Sequence, residues 1–132
     1  MGFEELNHTA DWAMRVWADD LPGLFVEAAR GMNSLSGARL AQEPCTKRSL
    51  ELDAADAESL LVAFLSELIY HAEQENQAYD QFEISIQDNH LRAQMSGAPL
   101  TSLTKAIKAV TYHNLIIQQT ARGYEVEIVF DV

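Results

Sequence analysis

The chain has 132 residues, of which 48% are hydrophobic and 22% charged; this fits one globular domain with its own core and excludes a disordered or fibrous segment. Its 9 basic against 20 acidic residues give a formal net charge of −11, which repels a phosphate backbone and argues against direct nucleic-acid binding. The sole cysteine, Cys45, rules out an internal disulfide, and no apolar run of about 18 residues is available to span a membrane. The start Met1-Gly2-Phe3-Glu4-Glu5 lacks the basic and apolar regions of a signal peptide, so a reducing cytoplasm is the expected location.

In chain order, Trp12 to Ala18 alternates Trp12, Met14, Val16 and Ala18 with Ala13, Arg15 and Trp17, which predicts a strand with both faces partly covered. Asp20 is placed to cap a helix, and Pro22 suits its first turn. Leu24, Phe25, Ala28, Ala29, Met32 and Leu35 then form a core-facing stripe that Ser36-Gly37 ends. Lys47 to Asp53 alternates as a half-buried strand. Asp56 is the second N-cap candidate. Ala57 to Glu75 carries Leu60, Leu61, Phe64, Leu65, Leu68 and Ile69 at helical spacing, so a long amphipathic helix is expected there. His71 near its end reads as a partner of the C-terminal helix dipole.

Phe82, Ile84 and Ile86 alternate with polar residues, and Asp88-Asn89 turns the chain into a strand over His90 to Ser96, with His90 as a corner residue. Gly97-Ala98-Pro99 is expected to break that strand. Residues 101–108 fit a short helix and an irregular crossover equally. Thr111 to Gln119 reads as a strand, Ala121-Arg122-Gly123 as a tight turn, and Tyr124 to Phe130 as the last strand. Two helices among mostly antiparallel strands predict an α+β, two-layer sandwich spanning 1–132 as a single domain.

The chain shows no Gly-rich phosphate loop, paired CxxC, HExxH or nucleophile elbow. Cys45 reads as a small buried hydrophobe rather than a reactive thiolate. The acidic groups offer more. Phe130-Asp131-Val132 ends a β-patterned run, so the Asp131 carboxylate and the α-carboxylate of Val132 are neighbours, which is half of a hard-cation site. Asp11, just before the first predicted strand, supplies a third carboxylate if the first and last strands meet. Otherwise Asp11 is a turn or cap residue and the tail is solvated. Oxygen ligation of this kind suits Ca²⁺, Mg²⁺ or Mn²⁺.

His8-Thr9-Ala10-Asp11, Lys108-Ala109-Val110-Thr111-Tyr112-His113 and Phe130-Asp131-Val132 resemble, in order and spacing, the motifs of the archease family. Where that family continues its first motif with a small aliphatic residue and glycine, this chain has Trp12-Ala13. The resemblance implies the archease fold and a non-catalytic protein cofactor that activates an RtcB-type RNA-splicing ligase by promoting its guanylylation and multiple turnover. It also implies a divalent cation, calcium first, held by Asp11, Asp131 and Val132. His8, Lys108 and His113 are candidates for orienting a ligand or touching the partner. The competing expectation is a metal-dependent hydrolase or phosphotransferase built on the clustered carboxylates; a third is an interaction domain without a ligase partner.

Overall fold

A computed structural model describes residues 1–6 and 12–132. The two helices form where the apolar spacing predicts. Helix α1 spans Leu21–Ser36: the Asp20 carboxylate accepts from the Gly23 amide at 2.7 Å, and Gly37 closes it in the left-handed region at φ 67°. Helix α2 spans Ala57–Glu75, capped by Asp56 accepting from the Ser59 amide at 2.7 Å and closed by Asn76 at φ 53°. The Ser59 backbone N–H, then its side chain, stabilise the Asp56 anion and hold its pKa below the ordinary 3.8. Neither helix is long and apolar enough to cross a membrane.

All strand pairings are antiparallel. One sheet contains β1 (Gly2–Leu6), β2 (Trp12–Ala18) and β9 (Gly123–Asp131), in that order, with the short strands β7 (Ala109–Val110) and β8 (Gln118–Thr120) on the far side of β9. The other centres on β6 (His90–Ser102), flanked by β4 (Thr46–Asp53) with β3 (Arg39–Leu40) on one part and by β5 (Gln77–Gln87) on the other. The inward residues of β2, β9 and β6 join the apolar stripes of both helices in one cluster that includes Met14, Ile128, Met95, Phe25 and Phe64. Phe64 sits at its middle, with ring centroids 5.9 Å from Phe25 and 6.0 Å from Phe82. The fold is thus α+β with two helices and antiparallel sheets, as the alternating and helical periods require.

Several local expectations are corrected. β1 was not legible, because Gly-Phe-Glu-Glu-Leu has no clean alternation; it pairs with β2 from Gly2↔Trp17 to Leu6↔Ala13. Gly97-Ala98-Pro99 does not break β6. A Cβ at Gly97 would lie 1.9 Å from the Ala78 carbonyl oxygen, so this glycine admits the close approach of β5 where its register shifts between Tyr79 and Gln81. The predicted strand over 111–119 is mostly irregular around a turn at His113-Asn114, with Leu115 N–H donating to Tyr112 O and Asn114 at φ 51°, and of its residues only those of Gln118–Thr120 form a strand paired with β9. Residues 103–108 are irregular.

Cys45 is exposed rather than buried, because it lies in the irregular bend between β3 and β4. His71 is buried and pairs with carboxylates instead of helix carbonyls: its Nδ1 lies 3.0 Å from Glu75 Oε1 and its Nε2 3.6 Å from Glu67 Oε2. His90, the first residue of β6, has its Nδ1 2.6 Å from Asp53 Oδ1 across the sheet.

Candidate metal centre at the strand end

The candidate site lies where β2 begins and β9 finishes. Their ladder runs from Ala18↔Tyr124 to Trp12↔Phe130, so the first described residue after position 11 pairs with the residue immediately before Asp131. On the other flank of β9, Ala109 pairs with Asp131 and Val110 with Phe130. The start of β2 and the end of β9 therefore share one end of one sheet. His8 and Asp11 lie outside the described residues.

Asp131 is exposed, and among the described residues its carboxylate forms no ion pair with a lysine, arginine or histidine. Its backbone is fixed: the carbonyl oxygen accepts from the Lys108 amide at 2.8 Å. Val132 is half-buried with its side chain packed against the core. The strand end is therefore anchored on both sides, unlike a frayed tail. Among the described residues, no three His, Cys, Asp or Glu side chains gather as a metal-holding group.

The block 108–113 lies against this end. The Thr111 amide and its Oγ1 both donate to Val129 O at 3.0 Å, and the same hydroxyl accepts from the His113 amide at 3.3 Å. One hydroxyl thus ties β9 to the turn that follows β7. Further along, the Ile117 amide donates to Glu58 Oε2 at 2.9 Å, linking the end of that turn to the first turn of α2. The Lys108 side chain is exposed, and the exposed His113 has its Nε2 3.3 Å from Asn114 Nδ2. Neither reaches the Asp131 carboxylate with a hydrogen bond or ion pair among the described residues. The block brings its backbone, rather than these two side chains, to the strand end.

The sequence pattern left two contributors unmarked. Trp12 is half-buried against the core, and the Lys105 ammonium stands 5.5 Å from its ring centroid. That cation–π contact joins the start of β2 to the irregular segment 103–108. Only long-range pairing could reveal it, since 93 positions separate the two residues in the chain. Thr111 falls within the motif, but its bridging of β9 and the turn depends on the tertiary register.

The family model of the Archease protein family (MTH1598/TM1083) matches residues 3–132. The chain is similar to the protein archease of Methanopyrus kandleri, at 31% identity over 100% of both chains. It is also similar to that of Methanosarcina barkeri, at 33% identity over 98% of this chain and 95% of the relative. Its fold matches the crystal structure of an archease, possible chaperone, from Thermotoga maritima, with a TM-score of 0.72, 21% identity and coverage of 98% and 96%. It likewise matches the solution structure of protein 1598 from Methanobacterium thermoautotrophicum, with a TM-score of 0.71, 23% identity and coverage of 99% of each. A full-length family match, relatives above 30% identity and the shared fold lead to one conclusion: this chain belongs to the archease family.

Proposed function

We propose that this archease-family chain is a non-catalytic, cytoplasmic protein cofactor that binds a divalent cation and activates an RtcB-type RNA-splicing ligase, promoting its guanylylation and multiple turnover. The cation ligands are Asp11, Asp131 and the α-carboxylate of Val132. The observation that carries this reading is the register of β2 with β9, which ends at Trp12↔Phe130, one residue short of both aspartates in the chain. The donor set fits a hard ion: it is all oxygen and anionic, and Asp131 has no cationic partner among the described residues to neutralise it. Calcium is the first choice, with magnesium and manganese as the alternatives. Such an ion supplies a positive, partly open coordination sphere on an otherwise acidic surface.

The chain's own residues do the rest. Lys108 holds the Asp131 backbone through its amide, Thr111 clamps Val129, and Val132 packs the terminal residue onto the core. These contacts hold the backbone at the end of β9, so less chain has to be ordered when an ion binds there. The net charge of −11 complements the basic surface that an RNA-joining enzyme needs.

The test adds purified chain to ligase guanylylation and RNA-joining reactions, with calorimetric titration of Ca²⁺, Mg²⁺ and Mn²⁺ alongside. The wild type is expected to stimulate the ligase and bind one of the ions, and Asp131→Ala to lose both while keeping its circular dichroism spectrum. Stimulation that survives Asp131→Ala would refute the metal mechanism. Phosphoester hydrolysis by the chain alone would refute the non-catalytic reading.

A further inference from the structure

A cavity of about 260 Å³ opens between the C-terminal ends of α1 and α2, the start of β5, the end of β6 and segment 103–108. Its walls are mainly apolar, with Met32, Leu68, Ile69, Leu100 and Ile107 as the larger contributors. At its rim stands Leu103, a large apolar side chain left 38% exposed. The uncharged polar side chains inside are already engaged: Asn33 Nδ2 donates to Tyr79 O at 2.8 Å, and Ser36 Oγ donates to Asn33 O at 3.1 Å, while the charged lining residues, Glu73 and Lys108, are exposed. No buried side-chain polar atom lacks a partner among the described residues.

Segment 103–108 is strapped at both ends. The Thr104 and Lys105 amides donate to Ser36 O at 2.9 and 3.1 Å, and the Lys108 amide donates to Asp131 O at 2.8 Å. The wall of the cavity therefore runs directly into the strand end that carries the candidate metal ligands.

We infer that this cavity is the socket for an apolar side chain of the ligase, so that the partner is gripped beside the cation-binding end as well as at it. The inference rests on the function proposed above and adds where the partner docks. The observations narrow the occupant. Small-molecule sites commonly run from about 300 to 1,000 Å³ and present free polar groups inside to orient the ligand; this cavity lies at the lower edge of that range, its interior polar side chains are already hydrogen-bonded, and its charged lining residues, Glu73 and Lys108, are exposed. A second copy of the chain carries the same −11 charge and is repelled. A basic enzyme surface is attracted, and a deep, desolvated apolar anchor is what concentrates binding energy at protein interfaces.

The test measures binding of purified RtcB-type ligase by calorimetry, using wild type, Leu103→Asp, which puts a charge on the rim, and Ala72→Leu, which fills the cavity from α2 with a good helix former. Both variants are expected to weaken binding at least tenfold while keeping wild-type thermal midpoints and calcium titrations. Wild-type affinity in both folded variants would overturn the socket and leave the cofactor reading intact. A wild type that neither binds nor stimulates the ligase would overturn both. Sedimentation showing a wild-type dimer that either variant dissociates would assign the cavity to a second copy and overturn the socket.

Discussion

Gly97→Ala is the substitution that most directly interrogates the way β5 meets β6. A Cβ there would stand 1.9 Å from Ala78 O, 2.7 Å from Tyr79 Cα and 2.8 Å from the Ala78 carbonyl carbon, where ordinary contact begins at 3.4 Å. All three are backbone atoms, so no rotamer change relieves the clash, and β5 must retreat by about 1.5 Å at Ala78. That retreat strains the pairs Ala78↔Ala98 and Tyr79↔Gly97 and pulls Tyr79 O from the Asn33 amide. Overpacking costs about 1–3 kcal/mol and each weakened hydrogen bond about 1 kcal/mol, so a loss of roughly 3 kcal/mol is expected. With an unfolding entropy of about 2.1 cal/mol/K per residue, this lowers the thermal midpoint of a 132-residue chain by about 10 °C. Scanning calorimetry reads this directly, with Ser96→Ala as a neighbouring control expected to stay within about 0.5 kcal/mol. A Gly97→Ala loss below about 1 kcal/mol would mean that β5 does not approach this closely, and the explanation of the unbroken β6 would fall.

Thr111→Val keeps the side-chain shape but removes the hydroxyl between Val129 O and the His113 amide; a stability loss of about 1 kcal/mol and faster hydrogen exchange at His113 are expected, and unchanged exchange would count against the clamp. A short Gly-Ser extension after Val132 displaces the α-carboxylate while leaving β9 paired, so calcium affinity should fall with the thermal midpoint unchanged; equal affinity would remove Val132 from the ligand set. Because its folded pKa lies below 3.8, Asp56 adds stability above its unfolded pKa and loses it as the pH falls through the folded value. Urea midpoints of Asp56→Asn, which keeps a good cap, should therefore match wild type at neutral pH and show a shallower acid decline. Parallel curves would show that the cap charge does not matter.

Much of this molecule follows from local chemistry. Asp20 and Asp56 cap because a short carboxylate reaches an orphan amide, and Gly37 ends α1 because the left-handed turn favours a residue without a Cβ. The Asp88-Asn89 hairpin, with both residues at positive φ, is likewise written in its dipeptide. The motifs at 108–113 and 130–132 were visible as a pattern of residue types.

What the chain alone left undecided were features that distant segments settle together. Residues 111–119 read as a strand, yet Thr111 and Ile117 are tied to Val129 and Glu58, and the segment between these anchors turns at His113-Asn114. Gly97 looked like a breaker until Ala78 arrived beside it. Periodicity and capping act over a few residues, so the sequence by itself determined the helices, their ends and the set of acidic groups. The meeting of β2 with β9 at Trp12 and Phe130, and the cavity walled by segment 103–108, come from pairing across the length of the chain, which only the tertiary structure decides.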